Sequence, residues 1–197
     1  RQGLKRMLDD VPDMRITNEV ASGKEALDLI KKNSYDVILL DISMPELNGL
    51  QTLKLIKKIN NKIPVLMLSM HSEKQYALRS IKAGSAGYMT KDSASQELVS
   101  AIRKIYKGRK YISKEVAELL TTDLYHHEDK EPHDLLSDRE FEILKLIAKG
   151  DTTNNIANNL SISPKTVSTY RSRILEKLNL KTNSDLIHYV IDNNLNN

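Results

Sequence analysis

Three residues far apart in the chain, Asp41, Ser69 and Lys91, are of types that together can accept a phosphoryl group. Each follows or closes an apolar run that reads as a buried strand: Val37 to Leu40 before Asp41, Val65 to Leu68 before Ser69, and residues 86–90 before Lys91. In open parallel sheets, ligands gather outside the carboxyl ends of the strands, so these side chains should converge. There the carboxylate can attack phosphorus, the ammonium can pair with phosphoryl oxygens, and the hydroxyl can donate a hydrogen bond to another oxygen. Such transfer usually needs Mg²⁺, a hard cation, to which the Asp41 carboxylate and the Ser43 backbone carbonyl could supply two oxygens. Each residue alone has a plainer reading: Asp41 as a turn or cap, Ser69 as a strand-end hydroxyl, Lys91 as a solvated ammonium. Their joint placement makes them a candidate site.

The elements that must position them alternate. Strands are expected around 14–20, 36–40, 64–69 and 86–90, separated by helices with capping boxes at Ser22 with Glu25, Ser72 with Gln75, and Ser93 with Gln96. Gly84 and Gly108 stand where two helices should stop. This predicts an α/β doubly wound parallel sheet over residues 1–115. The chain opens already helical at RQGLKRMLDD, so a sheet of the usual five strands would lack its first.

Residues 116–133 lose apolar periodicity and turn acidic, which marks a linker. Its adjacent His126 and His127 lack the helical spacing of a metal site. Residues 134–197 read as an all-α domain of four short helices, near 138–149, 152–159, 164–178 and 183–193. The second, the turn LSIS and the third form a helix-turn-helix candidate, with Ser163 as N-cap and Pro164 at the first helical position.

Composition sets outer bounds. A chain of 197 residues fits two ordinary domains, and the absence of cysteine excludes disulfides, thiolate catalysis and Cys-type zinc sites. No apolar stretch is long enough to span a membrane and no basic-then-apolar leader is visible, so the expectation is a cytoplasmic protein with no membrane partner. Residues 1–115 carry 21 Lys and Arg against 13 Asp and Glu, whereas 134–197 carry 8 of each. Within the latter, 164–181 holds Lys165, Arg171, Arg173, Lys177 and Lys181 against Glu176 alone, a surplus suited to a polyanion.

At about 100° per residue, Val167, Tyr170, Ile174 and Leu178 share one face of the third helix and should pack inward. Lys165, Ser168, Thr169 and Ser172 then lie opposite, where the N-terminal part of a recognition helix meets base edges in double-stranded DNA. Arg173 and Lys177, further round, should meet phosphates. On the last helix Leu186, Tyr189 and Val190 fall at i, i+3 and i+4 and form either a self-complementary patch or part of the domain's own core.

The segments YDVILLDISMPELNG, PVLMLSMH and AGSAGYMTKD together resemble the receiver domain of bacterial two-component response regulators. LSDREFEILKLIAKG and ISPKTVSTYRSRILEKL resemble the DNA-binding domain of LuxR-type regulators, and the two in this order resemble the NarL/FixJ class over nearly the whole chain. The resemblance implies a phosphoacceptor at Asp41, a switch hydroxyl at Ser69, a switch aromatic at Tyr88 and a phosphate-binding Lys91. It also implies direct base contacts by Ser168, Thr169 and Ser172. Homodimerisation through the last helix on activation, a sensor histidine kinase as phosphodonor and RNA polymerase as a further candidate partner complete the expectation.

Two departures stand out. The family's Mg²⁺-anchoring acidic pair aligns just upstream of Arg1, so the chain as written is expected to bind Mg²⁺ weakly or not at all. Asn154 and Asn155 stand where relatives often have Lys-Glu. A phosphatase of the haloacid-dehalogenase kind would need a second Asp two residues after the first, where this chain has Ser43. The expected function is therefore a phosphorylation-controlled transcriptional regulator rather than an enzyme. The alternative is a phosphorylation-independent DNA-binding or protein-docking regulator with a degenerate receiver.

Overall fold

The computed structural model describes residues 2–44, 46–70, 74–113, 116–118, 120–121 and 131–195. The chain divides into two compact units, Arg1–Glu118 and Leu119–Asn197.

The first unit runs α1 (Gln2–Asp9), α2 (Gly23–Ile30), β1 (Ile38–Asp41), α3 (Gly49–Ile59), β2 (Val65–Ser69), α4 (Lys74–Lys82), β3 (Gly87–Thr90) and α5 (Lys91–Tyr106). The strands form one parallel sheet in the order β1-β2-β3, with Asp41 opposite Leu68 and Ser69 opposite Thr90. Alternation along the pleat divides the apolar residues between two faces. On one face Leu66, Leu68 and Met89 pack with Leu8 of α1 and Ala94, Leu98, Ala101 and Ile105 of α5. The other face carries Leu40, Met67 and Tyr88, which are buried along with Leu50, Leu53 and Ile56 of α3. Helices on both faces hide the apolar strands from water, as a parallel sheet requires.

The caps differ partly from expectation. Ser22 accepts the Glu25 amide as foreseen. Helix α5, however, starts at Lys91 because Thr90, still extended, accepts the Ser93 amide at 3.2 Å; Ser93 is inside the helix. The expected box at Ser72 falls outside the described residues.

Residues 14–20 form no ladder among the described residues, so the sheet there has three strands where four were expected. A strand exists through its pairing, and propensity alone does not supply a partner. Met14 and Ile16 still press against the core, and Arg103 of α5 grips Asp13 through hydrogen bonds of 2.9 and 2.7 Å.

In the second unit a 3₁₀ turn (Pro132–Leu135) leads to α6 (Asp138–Ala148), α7 (Thr153–Leu160), α8 (Pro164–Leu178) and α9 (Asn183–Asp192). Phe141, Ile143, Leu144, Ile156, Ile174, Leu186 and Val190 fill its core. Ser137 and Glu140 form a reciprocal capping box on α6, and Gly150, at φ +88°, follows its end. A buried Arg139 donates to Glu142 at 2.8 Å and to the Leu160 carbonyl at 3.0 Å, fixing α6 against the end of α7. His126 and His127 of the expected linker lie outside the described residues, and no described helix is long and apolar enough to cross a membrane.

Candidate functional site

Asp41 is the last residue of β1, and its turn holds it in place. Oδ1 accepts the Ser43 amide at 3.1 Å, while the cap of α3 is Asn48, boxed with Gln51. Asp41 is therefore not a helix cap, and its second oxygen is left for other work. A Cβ on Gly49 would lie 2.1 Å from the Asp41 carbonyl oxygen, so only glycine lets the start of α3 pass this close behind the carboxylate.

Oδ2 of Asp41 takes the ammonium of Lys91 across 50 residues of sequence. Lys91 reaches it because Thr90 caps α5 with no intervening loop. Both side chains remain about a third exposed, which leaves the carboxylate open to a reactant. Ser69 ends the strand between them and is 4% exposed. The sheet thus sets carboxylate, hydroxyl and ammonium at three successive strand ends. Tyr88 is 6% exposed and shares the sheet face of Met67, its register partner, and of Ser69.

Among the described residues no group of three His, Asp or Glu side chains stands ready to hold a metal ion. The Asp41 carboxylate and Ser43 carbonyl are two oxygens where Mg²⁺ seeks about six, and one Asp41 oxygen already holds an ammonium. These two oxygens alone do not complete the coordination of that ion.

The second locus is α8. Ser163 accepts the Thr166 amide, Pro164 occupies the first turn, and Val167, Ile174 and Leu178 are buried, with Tyr170 half-buried. Lys165, Ser168, Thr169, Ser172 and Arg173 are all exposed on one side. The hydroxyls of Ser168, Thr169 and Ser172 donate back to the carbonyls of Pro164, Lys165 and Ser168, at 3.1, 3.0 and 3.1 Å. Their lone pairs remain available to base donors. Arg173 lies 6.0 Å over the Tyr170 ring, a cation–π contact that fixes its direction.

Two expectations change here. Lys177, foreseen as a phosphate contact, turns inward: its ammonium donates to Glu140 Oε2 at 2.6 Å and to the Leu135 carbonyl at 3.2 Å. Burial works to raise the Glu140 carboxyl, but the Lys177 ammonium and the Ser137 amide hold it below the ordinary value. Leu186 and Val190, foreseen as part of a dimer patch, are 0% exposed and face the domain's own core. An i, i+3, i+4 stripe on one amphipathic helix is consumed once α6 packs on it. Tyr189 is spoken for as well, its hydroxyl 3.1 Å from Nδ1 of His133, in a site whose burial raises its pKa.

Sequence reasoning missed Thr90, Gly49 and the second role of Glu140. The Asn48-Gly49 pair was a visible signal for the tight α3 entry; nothing local pointed from Glu140 to Lys177.

The model of the response regulator receiver domain matches residues 1–103, and that of the luxR family of bacterial regulatory proteins matches 134–190. The response regulator UvrY of Escherichia coli (strain K12) is 36% identical over 198 residues, covering 100% of this chain and 91% of that protein. This chain is a two-component response regulator. It joins a receiver domain to a LuxR-type DNA-binding domain and is a phosphorylation-controlled transcriptional regulator. The response regulator GacA of Pseudomonas aeruginosa is 35% identical over 187 residues, 94% of this chain and 87% of that one. Among solved structures, a LuxR-family response regulator from Aurantimonas sp. SI85-9A1 superposes with a TM-score of 0.58 at 28% identity, covering 64% of this chain and 89% of that one. Salmonella typhimurium RcsB shares the fold at a TM-score of 0.66 and 23% identity, over 97% and 90% of the two chains.

Proposed function

We propose that Asp41 is the phosphoacceptor of this response regulator and that its phosphorylation governs DNA reading by α8. An Asp41 oxygen attacks the phosphorus of a phosphohistidine on a sensor kinase; the P–N bond breaks, the imidazole leaves with the electron pair and takes up a proton, and an acyl phosphate remains. The Lys91 ammonium exchanges the carboxylate for a phosphoryl oxygen, and the Ser69 hydroxyl donates to another. Receiver domains generally bind Mg²⁺, and the Asp41 carboxylate and Ser43 carbonyl would be two of its oxygens. Water later hydrolyses the acyl phosphate, so any catalysis is confined to this residue's own charging and discharge.

The added charge of about −1.5 to −2 draws Ser69 toward it and vacates space for Tyr88, whose movement reshapes the surface of α4, β3 and α5. Downstream, a homodimer sets two copies of α8 on half-sites, with Lys165, Ser168, Thr169 and Ser172 at base edges and Arg173 toward phosphates. The observation that carries this reading is the ammonium of Lys91 on the Asp41 carboxylate, with Ser69 on the strand between.

The test is intact-mass measurement after incubation with acetyl phosphate and Mg²⁺. The protein should gain one phosphoryl mass, and Asp41→Asn should gain none. Equal phosphorylation of both would refute the assignment.

A further inference from the structure

The receiver holds its positive charge at the end furthest from Asp41. Helices α2, α3, α4 and α5 all run back against the parallel strands, so their C-termini meet at the edge where the strands begin. The connections there are 31–37, 60–64, 83–86 and 107–110. Their basic residues are Lys31, Lys32, Lys62, Lys107, Arg109 and Lys110, and Asp36 is their one acidic residue. The last turns of α3 and α4 add Lys57, Lys58 and Lys82.

Two of these ammoniums are fastened to neighbouring strand entries. Lys57 Nζ donates to the carbonyls of Ile63 at 2.7 Å and Asn61 at 3.2 Å, and Lys110 Nζ donates to the Ser85 carbonyl. Ser85 and Ile63 lie side by side because the Ala86 amide bonds to the Val65 carbonyl at 2.8 Å. Burial and then the nearby charge of Lys110 hold Lys57 below the ordinary lysine value, so the cations here repel one another. Lys32, Lys58, Lys62, Lys107 and Arg109 are exposed and make no ion pair among the described residues.

Helix dipoles favour cations in a last turn, which accounts for Lys57, Lys58 and Lys82. They extend to the C-caps Lys31 and Lys107 and do not account for Lys62, Arg109 and Lys110 further out. Beside these runs lies a shallow groove between the ends of α2 and α3; Lys31, Asn33 and Tyr35 in it already donate to Asp28, the Leu29 carbonyl and Asn18, and Lys32 is its exposed cation without an ion pair among the described residues.

We infer that this cationic pole is a second nucleic-acid surface, which holds the phosphate backbone of duplex DNA without reading its sequence. The occupant follows from charge complementarity. The DNA-reading unit has no net charge over 134–197, whereas residues 1–115 carry the surplus of 21 basic against 13 acidic residues. A polyanion that the protein already meets is the natural counter-charge. This rests on the proposed DNA reading by α8 but involves none of its residues.

The experiment measures binding of the full chain to a duplex of arbitrary sequence across a salt series. Three forms are compared: the parent, a pole variant (Lys32→Gln, Lys62→Gln, Arg109→Gln) and an α8 variant (Lys165→Gln, Arg173→Gln). The variants alter exposed side chains, and matching circular dichroism melts check their folding. Neutralising three backbone contacts should flatten the slope of log K against log salt by roughly 2–3 units. The pole variant should lose affinity on all sequences alike and keep its preference among sites. An unchanged slope overturns the inference. So does a pole variant that binds duplex normally but loses anionic phosphatidylserine vesicles or polyglutamate, which would give the surface to another partner. If the α8 variant alone loses binding, the pole fails and the α8 reading stands; if the pole variant alone does, α8 fails and the pole stands.

Discussion

The ammonium of Lys177 near the end of α8 sits 2.6 Å from the Glu140 carboxylate at the start of α6, and that carboxylate also accepts the Ser137 amide at 2.7 Å. One side chain thereby joins α8 to the capping box of α6.

Lys177→Ala should therefore loosen the domain more than it weakens phosphate contact. The expected loss is about 1–2 kcal/mol in chemical denaturation, from a charge-assisted bond whose lysine side chain is over a third exposed. The salt slope for DNA should stay close to the parent's. The Glu140 carboxyl lies below its ordinary 4.5 in the fold, so its contribution is present above that value and is lost as pH falls through the lower folded value. Glu140→Gln should flatten this acid limb; an unaltered limb would count against it.

Lys91→Met should leave the sheet intact and slow phosphate uptake from acetyl phosphate by roughly 10²–10³-fold, the usual cost of removing one preorganised donor to a developing anion. Stopped-flow or quench-flow labelling reads the rate. A fall of less than about threefold would place Lys91 outside the chemistry.

Gly49→Ala brings a methyl group within 2.1 Å of the Asp41 carbonyl oxygen and 2.8 Å of the Ile42 Cα. Backbone cannot yield as a flexible side chain can, so the receiver should lose about 1–3 kcal/mol or more, with Asp41 displaced. Thermal unfolding gives the first quantity, and the phosphorylation rate relative to folded fraction gives the second.

The Tyr111 hydroxyl bonds to Glu97, and burial first, then that carboxylate, push its pKa from 10.0 up to about 12. A group raised in the fold contributes stability that is complete below the unfolded value and declines as pH climbs from about 10 toward about 12. Tyr111→Phe should remove that alkaline decline, as seen in melts taken across the window.

What the sequence disclosed and what it hid divide along physical lines. Ser163 and Pro164 marked the start of α8 because capping is local chemistry, and Asp41, Ser69 and Lys91 were legible because strand ends in a parallel sheet converge by topology. Residues 14–20 misled because a strand needs a partner that no residue type announces. Leu186 and Val190 misled because a periodic stripe says that a face is covered and not what covers it. Lys177 misled because a long ammonium can snorkel to water or reach inward, and a carboxylate 37 residues away in sequence decided it.

The contact between Asp41 and Lys91 also bears on how the chain matures. Its partners are 50 residues apart and, among the described residues, come from the two outer strands of the sheet, joined through β2. Parallel pairings of this kind close late in folding, after the loop entropy of each crossover has been met. A nascent or partly opened receiver therefore has an aspartate but no ammonium beside it. With Asp41 as the proposed phosphoacceptor, charging by a phosphodonor requires that the sheet be closed.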